Sequence, residues 1–157
     1  GPVYLRFGRP AVANFTPADQ NFEIGKAVLL NEGADVTIVA TGHLVWQSLI
    51  AAENLESKGI SAEVINIHTI KPLDEQAIIK SVKKTGAIVT AEEHNYLGGL
   101  GESVARTLTT NYPVPQEFIA TKDTFGESGT PDQLMEKYGL DNKAIEKAVL
   151  GVLKRKT

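Results

Sequence analysis

The sequence predicts an α/β fold, a three-layer arrangement in which an open, mostly parallel sheet carries helices on both faces. Three observations lead there. Short apolar runs rich in β-branched residues recur at Val36–Ala40, 62–67 and 87–91, with the near-continuous hydrophobicity of strands buried on both sides. Each run is followed by a polar or glycine break and then an amphipathic stretch, at 44–55, 75–84 and 102–109. Strands that alternate with helices need crossover connections, which give parallel pairing along a right-handed path. The intervals between units differ, which excludes a solenoid.

Taken in order, Val3-Tyr4-Leu5-Arg6-Phe7 has strand composition and Gly8-Arg9-Pro10 ends it. The polar stretch from Asn14 to Asn21, with Pro17, reads as a connection. Residues 1–21 are therefore expected to be the end of a preceding domain and a linker, and 22–157 the α/β domain. Residues 22–30 are apolar at 22, 24 and 27–30 and close on Glu32-Gly33, a strand ending in a turn. Thr41-Gly42-His43 then breaks the first regular strand, and Lys58-Gly59 stops the helix after it. Lys71-Pro72-Leu73-Asp74 leads into the next helix with Asp74 as N-cap. Residues 114–120 offer a further strand, and 141–154 a closing amphipathic helix capped by Asp141.

A chain of 157 residues with 42% hydrophobic content supports one packed domain rather than two. It holds no cysteine, so disulfide frameworks and thiolate metal sites are excluded, and it has no secretory or membrane-spanning run. A cytoplasmic protein without membrane contact is expected. With 16 Lys plus Arg against 19 Asp plus Glu, the formal charge of −3 gives no electrostatic basis for binding nucleic acid.

The chemistry is concentrated after the strand at 87–91, where Glu92-Glu93-His94-Asn95-Tyr96 leads into Gly98-Gly99-Leu100-Gly101. Open α/β sheets bind ligands at the carboxyl ends of their strands. Two readings stand for the glycines: an anion cradle at a helix N-terminus, or a tight turn with close packing of helix on sheet. Neither nucleotide fingerprint is matched. His94 is either a general acid or base held in one tautomer by a neighbouring carboxylate, or an anchor for its loop or a subunit interface. His43, His68 and His94 each follow a strand, and none is spaced as a helical metal pair. No catalytic residue and no metal ligand set emerge. Arg6 and Arg9 flank Phe7-Gly8; a guanidinium there forks onto a phosphate or carboxylate, or else makes an ordinary surface ion pair.

Three stretches together resemble one family. Val3-Tyr4-Leu5-Arg6-Phe7-Gly8-Arg9-Pro10, Ile70-Lys71-Pro72-Leu73-Asp74 and the run from Glu92 to Glu102, followed by Ser128-Gly129-Thr130-Pro131, occur in the order and spacing of the C-terminal domain of transketolases. The beta subunits of 2-oxo acid dehydrogenases and 1-deoxyxylulose 5-phosphate synthase share this domain and are the alternative. The histidine followed by Asn-Tyr and Gly-Gly is more similar to transketolase. A regulatory anion-binding module or a dimerisation module is a further reading.

The resemblance implies an enzyme that moves a two-carbon ketol unit between sugar phosphates, using thiamine diphosphate and a divalent cation (Mg or Ca). It implies that the cofactor is bound elsewhere, by other N-terminal domains or in a separate subunit, that the intact enzyme is a homo-oligomer, and that this chain alone is inactive. Arg9 matches the family arginine that contacts the substrate phosphate. Gly8 stands where many members have serine, so no serine contact is carried over. The resemblance gives no settled duty to His94, Gly98, Gly99 or Gly101.

Overall fold

A computed structural model describes residues 1–6, 8 and 11–156. Its centre is a five-stranded sheet in the order β1-β3-β2-β4-β5, formed by β1 (Val28–Asn31), β2 (Val36–Ala40), β3 (Ala62–Asn66), β4 (Ile88–Asn95) and β5 (Gln116–Thr121). β3, β2, β4 and β5 run parallel; β1 is antiparallel to β3, with a register break between Leu29 and Asn31. The helices are α1 (Leu44–Glu56), α2 (Glu75–Thr85), α3 (Leu100–Asn111), α4 (Pro131–Tyr138) and α5 (Asn142–Leu153).

Strand alternation divides the core. Val36, Ile38 and Ala40 of β2, Ala62 and Val64 of β3, and Val89 and Ala91 of β4 pack with α1 and α5. Val39, Ile65 and Ile88 face the other way, onto Ile78 and Val82 of α2 and Val104 and Leu108 of α3. Both faces of the central strands are covered, which is why they read as continuous apolar runs. Asp74 and Asp141 cap their helices as the sequence predicts, accepting from Ala77 N–H at 3.2 Å and Ala144 N–H at 2.8 Å. Asp74 also accepts from Ala27 N–H at 3.0 Å, tying the segment before β1 to α2.

Three sequence expectations are corrected. The described residues 3–6 have no regular structure, and Val3, Tyr4 and Leu5 are 71–86% exposed. A strand needs a ladder partner, and the sheet ends at β1 and β5 without reaching this run. The expected strand at 22–30 is only β1, preceded by a turn at Ile24 and Gly25. β4 continues four residues past Ala91, because β5 stays beside it, Asn95 pairing with Thr121 after a register break. Among the described residues no helix is long and apolar enough to cross a membrane.

Candidate functional site

Because four strands are parallel, their carboxyl ends share one edge, and the polar loops gather there. Thr41, Gly42 and His43 after β2, Ile70 after β3, and Glu93 and His94 of β4 line an open cleft of about 340 Å³. A neighbouring cleft of about 440 Å³ shares Gly42, His43 and Glu93, and is closed by the N-terminal arm through Gly8, residues 11–13 and Phe15. Phe15 stacks on Trp46 of α1, ring centroids 6.1 Å apart at 17°, which fixes the arm across this edge. Arg9 lies outside the described residues; Gly8 and Ala11, on either side of it, line the second cleft. Arg6 is exposed.

The glycine loop is built around Glu92. This carboxylate is 2% exposed and accepts from Leu100 N–H at 2.7 Å and Gly101 N–H at 2.8 Å. The first amides of a helix have no partner within it, and the helix dipole favours an anion at that end. Here the anion is the protein's own side chain, supplied from β4. Glu102 reaches back to accept from Gly98 N–H at 2.8 Å. Gly98 is left-handed at φ +76°. A Cβ on Gly99 would come within 2.3 Å of the Glu92 carboxylate, and one on Gly101 within 2.4 Å of the Phe118 ring. Each glycine has a structural reason: a backbone turn, room for Glu92, and contact of α3 with β5.

His94 donates from Nδ1 to its neighbour Asn95 O at 2.8 Å, since a carbonyl can only accept. In the neutral ring that leaves Nε2 as the acceptor. The orienting group is thus a backbone carbonyl and not Glu92 or Glu93, because Glu92 is already bound to α3. Asn95 ties two loops together: its Oδ1 accepts from Leu97 N–H at 2.9 Å and its Nδ2 donates to Asp123 Oδ1 at 2.8 Å. His43 and His94 share the first cleft. His68 is half-buried against Phe22, with ring centroids 4.4 Å apart, and its Nδ1 lies 2.9 Å from Thr69 Oγ1.

Among the described residues no three His, Cys, Asp or Glu side chains converge as metal ligands. The sequence reading missed the apolar walls of the second cleft, Phe15, Trp46 and Met135. The one available signal was Trp46, the single tryptophan, one helical turn beyond His43.

Comparison with known proteins agrees with this architecture. The sequence model of the family described as transketolase, C-terminal domain, matches residues 25–145. Over 156 residues the chain is 49% identical to the 6-deoxy-6-sulfo-D-fructose transketolase subunit SqwH of Clostridium sp. (strain MSTE9), covering 99% of this chain and 48% of that protein. It is 41% identical over 155 residues to an apulose-4-phosphate transketolase subunit of Phocaeicola vulgatus, covering 98% and 49%. A solved split-gene transketolase, described as an inactive β4 tetramer, superposes with a TM-score of 0.92 at 44% identity, over 95% of this chain and 49% of that one. The chain spans about half the length of each of these three relatives. This chain, with its four parallel strands, antiparallel edge and glycine-started third helix, belongs to the transketolase C-terminal domain family.

Proposed function

We propose that this chain is the C-terminal domain of a transketolase, corresponding to the C-terminal half of one subunit of a split enzyme. The enzyme would transfer a two-carbon ketol unit between sugars that carry a distal anion. The related subunits are named for 6-deoxy-6-sulfo-D-fructose and apulose-4-phosphate. A sulfonate and a phosphate offer the same target to a guanidinium fork.

The family's thiamine diphosphate and divalent cation do not fit the described residues. Among the described residues no three carboxylate or imidazole side chains converge to hold a cation. Glu93 faces the clefts without a second free acidic ligand beside it, and Glu92 is already held by two backbone amides. The cofactor belongs with the N-terminal domains or partner subunit, and the chain alone is inactive. The same hydrogen bonds weigh against the glycine loop as a regulatory anion cradle, since an external anion would compete with Glu92 for its donors. Here Gly98, Gly99 and Gly101 serve the helix start and His94 serves its loop.

The observation that carries the substrate reading is the arm. Gly8 and Ala11 lie along the carboxyl-edge cleft beside His43 and Glu93, and Arg9 stands between them in sequence. Arg9 is proposed to grip the distal anion. In the full enzyme Arg9→Ala should cost roughly 1.5 to 3 kcal/mol, about 10- to 150-fold in kcat/KM, mainly through KM. Arg9→Lys should recover part of this, since a point charge cannot reproduce the fork. Substrates lacking the anion should be spared; an equal loss on both classes would assign Arg9 to the fold or the domain junction instead.

A further inference from the structure

Among the described large hydrophobic residues, Phe125 stands out, because it is 98% exposed on a loop tied to its surroundings by hydrogen bonds and an ion pair. The segment 122–130 between β5 and α4 is exposed throughout. Asp123 is tied to Asn95, Tyr138 Oη donates to Phe125 O at 3.3 Å, Lys137 pairs with Glu127 at 2.6 Å, and Thr130 N–H donates to Gln133 Oε1 at 3.1 Å. Two of these contacts reach the loop's backbone, at Phe125 O and Thr130 N–H, and two hold side chains on either side of the ring. Together they limit how far the backbone carrying Phe125 moves, which lowers the entropy lost when it docks. Tyr96 and Leu97, 40% and 48% exposed, lie on the loop tied to it.

We infer that Phe125 is an anchor that inserts into an apolar pocket of the N-terminal half of its own subunit, the half of the relatives' length that lies outside this chain. This rests on reading the chain as a C-terminal half. Two observations favour that half over a second copy. The relatives are about twice as long as the segment they share with this chain, and the family matched is a C-terminal domain, so the remaining half precedes it. The arm that leads from that half crosses the carboxyl edge, pinned by Phe15 on Trp46, and the Phe125 loop leaves the same edge from β5. Interfaces are enriched in aromatic residues, Phe among them, and a few well-packed buried side chains carry most of the binding energy.

The test uses the full-length subunit. At 98% exposure the ring is not packed in its own domain, so truncating it costs this domain little, and any loss of stability reports the docked contact. Phe125→Ala should lower the subunit's Tm by several degrees and Phe125→Leu by less, with sedimentation unchanged. The chain has no cysteine, so Phe125→Cys and Glu127→Cys can be compared with a thiol reagent against the parent protein as background. Phe125→Cys should label at least about tenfold more slowly than Glu127→Cys, as burial slows the thiolate's access. Equal labelling rates, or an unchanged Tm in Phe125→Ala, overturn the inference. A shift to smaller oligomers in Phe125→Ala overturns it too, in favour of a second copy. The absence of ketol transfer in the parent enzyme with its partner subunit would remove the C-terminal-half reading itself.

Discussion

The two faces of the sheet are made from the same strands but solve different problems. Toward α1 and α5, β2 presents Val36, Ile38 and Ala40, all fully buried and apolar. Toward α2 and α3 the buried positions are partly polar: Thr37 of β2, Glu63 of β3, and Thr90 and Glu92 of β4. Each has a specific partner. The Thr37 hydroxyl lies 2.5 Å from that of Ser81 and 2.7 Å from that of Thr85 on α2. Glu63 pairs with Lys84 of α2, Thr90 Oγ1 is within 3.3 Å of Gln116 Nε2, and Glu92 holds the start of α3. The apolar face holds by area, which tolerates some sliding of a helix. The polar face holds by pairing, which does not, because a shifted helix would strand buried donors and acceptors. The difference teaches where position matters: α3 and the loop before it are set by hydrogen bonds at the edge that carries the clefts.

That contrast breaks most sharply at two residues. Ile38→Ala on the apolar face should lower unfolding stability by about 4 kcal/mol, through lost transfer energy and the cavity left behind, read by equilibrium unfolding in denaturant. The loss should be global, with the carboxyl edge otherwise unchanged. Glu92→Ala on the polar face should cost less, about 3 kcal/mol, from two buried amides left without an acceptor, but its effect should be local. Hydrogen exchange at Leu100 and Gly101 should rise far more than exchange in β2. Glu92→Gln keeps one acceptor oxygen and should fall between parent and Ala. Uniform loss of protection in Glu92→Ala would mean that the two faces do not divide the labour in this way.

Much of the fold was legible, for physical reasons that also mark where legibility ended. The central strands are buried on both sides, so their β-branched runs stood out, and Asp74 and Asp141 advertised helix starts through the chemistry of an N-cap. The polar end of β4 did not read as strand, because Glu92-Glu93-His94-Asn95 looks like a solvated loop. Only one of the two glutamates is buried, and what buries it is a helix eight residues later. Continuing the two-residue period of Ile88 and Thr90 would have placed Glu92 on the α3 face. The sequence reading places α5 at 141–154 but gives no bounds for α4, since that helix is short, has no fully buried residue and depends on a capping box between Thr130 and Gln133. The clefts were less legible than the fold: His43, Glu93 and the arm meet only through strand order and the Phe15–Trp46 stack, which no local pattern encodes.

The smallest effect lies at the rim of the apolar face, where α1 and α5 meet. Glu146 of α5 accepts from Asn54 Nδ2 at 2.8 Å and pairs with Lys58 Nζ at 2.6 Å. Burial pushes the Glu146 carboxyl up, but the hydrogen bonds from Lys58 and Asn54 and the charge of Lys58 outweigh it, and its pKa falls below the ordinary value of 4.5. A carboxyl whose pKa is lower in the folded chain than in the unfolded one binds its proton less readily when folded. Its contribution to stability is therefore present above pH 4.5 and is lost as pH falls through the lower folded value. Lys58 is about half exposed, so solvent screens the pair and the contribution is roughly 0.5 kcal/mol. Glu146→Gln should reduce stability by about this much at pH 7 and by nothing at pH 2, measured as the difference between two urea midpoints. High salt should shrink the pH 7 difference. A loss that persists at pH 2 would instead make Glu146 a packing residue of the α1–α5 contact, and the apolar face would then hold itself by shape as well as by area.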